Sequence, residues 1–503
     1  MRCALVIPAW VPADIFPAGT AGSQVNYWQP LGILYVAASL RAAGHEVRFF
    51  DGAFLRHDQI LARLEAFDPA FVGIYATAFG WNRAVATAAD VKRRLPAAFT
   101  CAGGPYPIAA QERCLRTAGA SFDAVVTGEG ERTAVELLAR LEAGDDPAGV
   151  HGLVYWRGSE IVKNPPRPLI EDLDSVPFPA RDLLGDASRY LPPPATFRRK
   201  PVAVMITARG CSRRCIFCFQ IDRQRNAGRF GVRYRSLPNV LAEIEMLLAQ
   251  GYREVKFLDD TLAADYDRAM ALAREIRARR LDFTWFASAC VNQVDRPLLQ
   301  AFKDAGCWAI LLGAESGVQK NLNALRKGTT LAQIREAVRA AKDVGLQVST
   351  PFVFGIPGET VAEGLQTIDF AIELDADLAN FHALTPFPGT PLHDGRTGLG
   401  TASEDLGEYT YQGAAFVPHT MSRDDIQRLR RLALRRFYSR PRYIARRLLS
   451  LHSLDAWRAA LSGARSLFTL WKRERVFARS AASASAGVKA AGTPVRAPDR
   501  AGG

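Results

Sequence analysis

Short apolar, strand-like runs alternate with amphipathic helical patterns in two separate blocks of this 503-residue chain. The first block covers residues 1–145 and the second covers residues 200–400. Such alternation is typical of parallel strands that are joined by crossover helices. We therefore predict an α/β protein with an N-terminal Rossmann-like, doubly wound sheet, followed by a partial parallel barrel of six strand–helix repeats.

Each block contains several predicted strands. Those of the first block are Ala4–Pro8, Glu46–Asp51, Phe71–Ala76, Phe99–Gly103 and Ala124–Thr127. Those of the second block are Val202–Thr207, Glu254–Leu258, Thr284–Ala289, Ala309–Gly313, Val348–Phe354 and Leu378–Leu384. Residues 146–199 are predicted to form a hairpin and a proline-rich linker, residues 401–478 a basic helical region, and residues 479–503 a disordered tail.

Composition narrows the class of protein. The chain has no apolar run of 18 residues, no signal-peptide pattern, and too few cysteines for a disulfide framework, so we expect a cytoplasmic protein. Residues 421–480 carry 16 Lys and Arg against 4 Asp and Glu, and residues 481–503 carry 3 against 1. Of the net charge of +13, residues 1–420 therefore hold −1, and we expect no nucleic-acid partner.

Three cysteines, Cys211, Cys215 and Cys218, crowd into one loop directly after a predicted strand. Three thiolates can hold a 4Fe–4S cluster and leave its fourth iron open for a substrate or cofactor. A zinc site would need a fourth ligand, and both His151 and Cys290 are far away in sequence. Buried apolar cysteines are disfavoured because the loop also carries arginines. The loop therefore predicts an open iron–sulfur cluster.

The C-x3-C-x2-C spacing, with Phe217 before the third cysteine, resembles the radical S-adenosylmethionine (SAM) superfamily. In that family the open iron binds the amino and carboxylate groups of SAM. One electron from the cluster then cleaves SAM to a 5′-deoxyadenosyl radical. The resemblance implies an external one-electron reductant of the flavodoxin or ferredoxin type.

Segments after the later strands also resemble this family. The resemblance implies that SAM is contacted by Phe217, Asp259, Asp260, Glu315, Gly355 and Gly358. The segment Thr385–Pro391 is also typical of one subgroup. Each of the three carboxylates could instead cap the N-terminus of a helix.

The order of segments over residues 1–400 resembles the subgroup that has a cobalamin-binding domain ahead of the barrel. By that resemblance the cobalamin contacts are Gln29, Gly32, Gly103, Gly104, Gly128 and Glu129. Glycines let the backbone approach a flat corrin ring closely. The loop at residues 8–14 has no histidine, so we expect no histidine ligand below the cobalt. The alternative is a cofactor-free domain that only shields the barrel.

The resemblance implies a cobalamin-dependent radical SAM enzyme that methylates an unactivated carbon of a small-molecule or lipid-like biosynthetic intermediate. Methylcobalamin would supply the methyl group, and a second SAM would regenerate it. One alternative keeps both cofactors without methyl transfer, as in the anaerobic Mg-protoporphyrin IX monomethyl ester cyclases. Another is a binding protein without turnover. The methylthiotransferases are disfavoured because Cys101 lies in a predicted strand and Cys3 directly before one, because the spacings of Cys3, Cys101 and Cys114 do not fit, and because no RNA-binding barrel follows residue 400.

Apolar and arginine residues recur at helical spacing near the C-terminus. The pattern over residues 424–449 predicts a helix that docks on the barrel, with a break at Pro441. A second predicted helix, Leu454–Arg475, combines two tryptophans with a basic cluster. These features favour peripheral association with an anionic membrane at its inner face.

Overall fold

The computed structural model describes residues 1–11, 27–192, 196–220, 231–394, 398–410 and 413–449. Contacts divide the chain into one unit that ends at Arg440 and a second that begins at Pro441. No helix in the described ranges is both long and apolar enough to cross a membrane.

The first sheet has seven strands in the order β2-β1-β3-β4-β5-β6-β7, of which β1 to β5 are parallel. Its strands are β1 (Arg2–Ile7), β2 (Glu46–Asp51), β3 (Phe71–Tyr75), β4 (Phe99–Gly103), β5 (Ala124–Val126), β6 (Leu153–Arg157) and β7 (Glu160–Lys163). Its helices are α1 (Leu31–Ala42), α2 (His57–Phe67), α3 (Trp81–Arg94), α4 (Pro105–Ala110), α5 (Glu112–Ala118) and α6 (Gly130–Ala143). Apolar clusters cover both faces of the sheet, as a doubly wound fold requires.

The hairpin β6–β7 forms where the sequence predicted it, but it belongs to the first sheet. Strand β6 pairs antiparallel with β5, so the sheet extends to Lys163, beyond the boundary expected at residue 145. Tyr155 lies in the middle of β6 and is buried among the core residues of this sheet. A hairpin pattern specifies its own pairing, whereas its attachment to β5 depends on contacts distant in sequence.

The second sheet has six parallel strands in the order β15-β14-β13-β12-β11-β8, which confirms the partial barrel. These strands are β8 (Val202–Met205), β11 (Glu254–Phe257), β12 (Thr284–Ala289), β13 (Cys307–Leu312), β14 (Gln347–Phe354) and β15 (Leu378–Ala383). Two short pairs are β9 (Ala208–Arg209) with β10 (Arg233–Tyr234), and β16 (Gly400–Ala402) with β17 (Phe416–Pro418). The helices are α7 (Leu237–Ala249), α8 (Tyr266–Ala278), α9 (Arg296–Asp304), α10 (Gln319–Ala324), α11 (Leu331–Asp343), α12 (Val361–Leu374) and α13 (Pro391–Asp394).

Residues that precede the barrel cover the edge of its first strand, β8. The Gln29 side chain donates to the Val202 carbonyl at 3.5 Å and accepts from the Val204 amide at 3.3 Å. Arg181 donates to the Val204 carbonyl at 2.7 Å and forms a buried ion pair with Glu243 of α7 at 2.7 Å. The polar groups of this strand edge are therefore satisfied by side chains instead of another strand.

The C-terminal pattern forms two helices, α14 (Arg423–Tyr438) and α15 (Pro441–Leu449). The apolar face of α14, which includes Ile426, Leu429 and Phe437, is buried, and Phe437 packs edge-on against Phe381 of β15. This part of the predicted helix is docked on the barrel, and the break falls at Pro441 as expected. The predicted helix Leu454–Arg475 lies outside the described residues.

Candidate active site

The cysteine loop follows β8 and the two-residue strand β9, at the carboxyl end of the barrel strands, where ligands of such sheets bind. Backbone bonds fix its centre: the Ile216 amide donates to the Leu325 carbonyl at 3.1 Å, and the Leu392 amide donates to the Ile216 carbonyl at 2.9 Å. Phe217 packs against an apolar cluster that includes Ile356. The predicted SAM contact Phe217 therefore lies in the wall of this site, and it also anchors the loop.

Cys211 and Cys215 are buried, and Cys218 is partly buried. Burial raises the pKa of Cys211 to about 11 and that of Cys218 to about 12, and it also raises the pKa of Cys215. Negative charge on Cys215 raises the pKa of both other thiols further. The three sulfurs thus share one weakly hydrated site, in which thiolates need a compensating positive centre.

Cys290, which follows β12, also belongs to this neighbourhood, because its charge raises the pKa of both Cys211 and Cys215. Cys290 is far from the three cysteines in sequence but close to Cys211 and Cys215 in space. Within the described ranges, no three Cys, His, Asp or Glu side chains converge closely enough to hold a single metal ion.

A buried ion pair lies beside the thiols. Glu315 follows β13, and its Oε1 lies 2.7 Å from Nζ of Lys327. Burial alone would lower the pKa of Lys327, but Glu315 and the thiols of Cys215 and Cys290 outweigh it, so the pKa is raised. A Cβ on Gly313 would lie 2.6 Å from that Nζ, so glycine leaves the room that the pair occupies.

Glu315 has a left-handed backbone, with φ of +64°. Its amide donates to the Pro351 carbonyl and its carbonyl accepts from the Val353 amide, both at 2.9 Å, so strand β14 holds this uncommon conformation. Such residues cluster at functional sites. Helix α10 begins at Gln319 without a side-chain cap, so the helix-cap interpretation of Glu315 is wrong.

The adjacent carboxylates Asp259 and Asp260 have different surroundings. Asp259 is buried and accepts from the amide and hydroxyl of Thr207, both at 2.9 Å, and burial raises its pKa to about 6. Asp260 is exposed, and its charge raises the pKa of Cys211 and Cys218. The cap of the following helix is Asp265, so neither aspartate caps it. Asp260 faces the thiols, whereas Asp259 supports the start of the loop.

Gly355 and Gly358 form the turn after β14, with φ of +87° and +78°. Glu359 organises this turn by accepting from the Gly355 and Ile356 amides at 2.7 and 3.1 Å. A Cβ on Gly355 would lie 2.9 Å from the Ile426 side chain of α14. These contacts explain the turn, and the SAM contacts of both glycines stay predictions.

Arg209 of β9 connects the cysteine loop to the first sheet. Its guanidinium contacts Glu129 at 2.7 Å and Glu131 at 2.6 Å, at the carboxyl end of β5. Glu129 also pairs with Arg233 of β10 at 3.0 Å and accepts from the Ile170 amide at 2.7 Å. Burial would raise the pKa of Glu129, but the two arginines outweigh it and the pKa is lowered. Glu129 therefore remains ionised and joins the two sheets.

Several predicted cobalamin contacts lie at the carboxyl edge of the first sheet. A Cβ on Gly32 or on Gly103 would meet nothing within 4 Å, so both backbones face open space. Gly104 has φ of +110°, and a Cβ there would lie 2.8 Å from the Ala76 carbonyl. Gly128 is partly buried in the loop between β5 and α6. An open glycine edge of this kind fits a flat ring.

Two other predicted cobalamin contacts are engaged within the chain. Gln29 bonds to the edge of β8 and to the Tyr252 hydroxyl, and Glu129 bonds to the two arginines. Their cobalamin assignment stays a prediction that these contacts do not support.

Two histidines of the first sheet have partners within the chain. His57 bonds to Asp90 at 2.6 Å. His45 lies beside the amino terminus, at the end of β1 that is opposite to the glycine edge.

A cavity of about 500 Å³ lies between α4–α5 of the first sheet and the segments that follow β15. Tyr106, Gln111, Pro388 and Tyr409 are among its lining residues. Helix α4 follows Gly104 directly, so the cavity adjoins the glycine edge. Space is therefore present where the carboxyl ends of the two sheets approach each other.

Sequence reasoning missed Lys327, Arg209 and Arg233 as parts of this site. Lys327 follows Glu315 by twelve residues and lies beyond helix α10, a spacing without any periodic signal. Arg209 lies two residues before Cys211, and this short spacing is the sequence signal that could have indicated its role in supporting the loop.

The structure combines a parallel barrel, which carries three clustered thiols at its carboxyl end, with a parallel sheet that has a glycine edge. This combination defines a class of two-domain cofactor enzymes. Family profiles agree: the Radical SAM superfamily matches residues 205–371, and the B12 binding domain matches residues 19–138. An uncharacterized methyltransferase of Pyrococcus horikoshii is 33% identical over 465 residues, which cover 91% of this chain and 97% of the relative. The anaerobic magnesium-protoporphyrin IX monomethyl ester cyclase of Rubrivivax gelatinosus is 28% identical, covering 81% of this chain and 73% of the cyclase.

The radical SAM methyltransferase TsrM of Kitasatospora setae, solved with tryptophan and a SAM analogue, has the same fold. Its TM-score is 0.67 at 19% identity, and the match covers 96% of this chain and 99% of TsrM. This chain belongs to the radical SAM enzymes that carry a B12-binding domain. Its cofactors are a 4Fe–4S cluster, SAM and cobalamin, as the sequence predicted.

Replacing Arg209 by Gln should loosen the cysteine loop, because the buried Glu131 loses its ion-pair partner and Glu129 keeps only Arg233. Breaking a buried pair costs about 3–5 kcal/mol. If half of this free energy is lost from the local stability of the loop, amide exchange of residues 211–220 accelerates about tenfold or more. Hydrogen–deuterium exchange of the apoprotein measures this. Arg199→Gln is the control, because its partner Asp282 is largely exposed. Equal exchange in both variants would contradict the role of Arg209.

Proposed function

We propose that this chain is a cobalamin-dependent radical SAM methyltransferase that acts on an unactivated carbon of a small-molecule or lipid-like biosynthetic intermediate. The observation that carries the proposal is the ion-pair connection between Arg209, beside the cysteine loop, and Glu129 and Glu131, at the edge of the first sheet. It fixes the thiol site close to the edge where a B12 domain presents its ligand. The methyltransferase name of a relative that covers nearly the whole chain supports the same activity.

In this proposal Cys211, Cys215 and Cys218 bind the 4Fe–4S cluster. The charge of Lys327 lowers the pKa of Cys215, whereas burial disfavours the thiolates, so a bound metal cluster is proposed to supply the positive charge that they need. When bound, the cluster and SAM supply a hydrogen-abstracting radical from one external electron, and cobalamin supplies the methyl group. The chain's own residues bind and orient these groups.

Asp260 and Glu315 are the carboxylates proposed to bind SAM, since both face the thiols. Asp259, Phe217, Gly355 and Gly358 support them by holding the loop and the turn in place. Gly32, Gly103, Gly104 and Gly128 are proposed to leave room for cobalamin. The side chains of His45 and His57 contact the amino terminus and Asp90, and the cobalt is proposed to have no histidine ligand.

Cys215→Ala should abolish cluster binding, because the cluster is held by three thiolates and the variant has only two of them. Anaerobic reconstitution followed by iron and sulfide analysis should give far less than the four irons of the parent protein. Cys290→Ala is the matched control and should retain the full cluster. Four irons in the Cys215 variant, or their loss in the Cys290 variant, would show that the ligands are assigned wrongly.

Glu315 and Lys327 allow a double-mutant test of SAM binding. Glu315→Gln leaves a buried cation without its partner and should cost about 3 kcal/mol of stability. Adding Lys327→Met should restore most of that stability, because both charges are then removed. SAM affinity of the reconstituted protein, measured by calorimetry, should stay weak in both variants.

The control for this cycle is Glu373→Gln, which breaks an exposed pair with Arg335 and should change neither quantity. A purely structural Glu315–Lys327 pair would lower stability in Glu315→Gln while SAM affinity remained that of the parent protein.

Methyl transfer is tested by supplying SAM with a deuterated methyl group, cobalamin and a low-potential reductant to the reconstituted protein. The label should appear on protein-bound cobalamin, together with 5′-deoxyadenosine. The cyclase alternative, favoured by the Rubrivivax relative, produces 5′-deoxyadenosine without labelled cobalamin. Absence of both products would favour a binding protein without turnover.

Peripheral association with an anionic membrane is proposed for the basic segment 452–503, on its sequence alone. Liposome flotation of the full chain should depend on anionic lipid, and the chain truncated after residue 451 should no longer float. Equal flotation of both chains, or of neither, would remove the membrane proposal.

A further inference from the structure

The two faces of strand β11 have different surroundings. Phe257 packs edge-on against Trp285, which in turn packs edge-on against Phe302 of helix α9, so the face that carries Phe257 meets the helices. Because side chains alternate along a strand, Lys256 lies on the opposite, enclosed face, together with Phe286, its register partner on β12. Lys256 is therefore a cation inside the barrel.

The ammonium of Lys256 is surrounded by aromatic rings. Its Nζ lies 4.2 Å from the ring centroid of Trp28 and 4.2 Å from that of Phe286. Within the described residues it has neither a hydrogen-bond acceptor nor a carboxylate at ion-pair distance. Burial lowers its pKa to about 8, and the charge of Glu254 acts in the opposite direction. Cation–π contacts stabilise the ammonium in part, and its three donors remain available.

Glu254, two residues earlier on the same face, does not supply the missing acceptor. Its Oε1 accepts from Nε1 of Trp308 at 2.8 Å. Its Oε2 accepts from the amides of Arg198 and Arg199 and from the hydroxyl of Thr284, at 2.7 to 2.8 Å. These donors fix Glu254 at the floor of the barrel, below Lys256.

Above Lys256, the enclosed face carries Leu258, Leu311 and the partly exposed Ser288. Leu258, the next residue on this face, is 40% exposed. Leu311, on the enclosed face of β13, is also partly exposed. Asp260 and the cysteine loop follow at the mouth. The enclosed face thus has a cation at depth, two leucines that are not buried above it, and the cysteine loop at its opening.

We propose that Lys256 binds an anionic group of the substrate, and that the substrate is a largely apolar molecule whose carboxylate, phosphate or sulfonate end enters the barrel first. The proposal rests on the proposed function, because it assumes that the reacting carbon lies at the mouth. A charge-assisted hydrogen bond in this desolvated place favours an anion over its uncharged analogue. Lys256 is therefore a specificity-determining residue.

Two fluorescent probes test the inference without turnover: 1-anilinonaphthalene-8-sulfonate, and N-phenyl-1-naphthylamine, which lacks the sulfonate. The full chain with its reconstituted cluster is titrated with each probe. We expect Lys256→Met to weaken binding of the anionic probe about tenfold, as loss of one charge-assisted bond predicts. The neutral probe should bind within about twofold of the parent protein, and Lys256→Arg should keep the preference for the anion.

Lys163→Met, at an exposed lysine of β7, is the matched control and should change neither titration. If Lys256→Met folds poorly by circular dichroism, Lys256→Gln replaces it. Unchanged anion binding, or equal loss of both probes, would overturn the proposal. So would a tenfold loss of SAM affinity in the Lys256 variant, because Lys256 would then serve the SAM carboxylate. None of these outcomes depends on methyl transfer, so the inference and the proposed function can fail separately.

Discussion

The ion pairs of Arg209 with Glu129 and Glu131 are the interaction on which the arrangement of this molecule depends. Removing three charged groups from water is costly, and the cost is recovered only where the groups meet in good geometry. The two sheets therefore have one favoured relative position at this point. Cys211 lies two residues beyond Arg209, so the position of the thiols is set by the sheet that precedes the barrel.

The parallel sheets and the cysteine loop could be predicted because their signals are local. Strand and helix periods repeat within short windows, and three cysteines in one loop are close whatever the rest of the chain does. The contacts that complete the site are distant in sequence. Lys327, Cys290 and the partners of Arg209 come together only through crossover connections that no local pattern encodes.

Two adjacent aspartates show most clearly that a local pattern cannot predict which contacts a residue makes. Asp259 and Asp260 carry the same group at the end of the same strand, yet one is buried against Thr207 and the other faces the thiols. At the end of a strand the alternation of faces stops, so the sequence cannot assign the two roles. Gln29 and Glu129 extend this point, because polar residues near a predicted ligand edge turned out to hold the two sheets together.

The covered edge of β8 has a consequence for how the chain folds and how it can be divided. Gln29 and Arg181 precede the strand that they cover, so both are synthesised before the groups that need them. The residues that cover the first barrel strand are therefore already present when that strand is synthesised. A fragment beginning at residue 200 would instead present the free polar edge of a buried, apolar strand to any neighbour, the arrangement that leads sheets to join edge to edge and aggregate. The part of the chain that precedes the barrel therefore protects this edge, in addition to carrying the B12-binding domain.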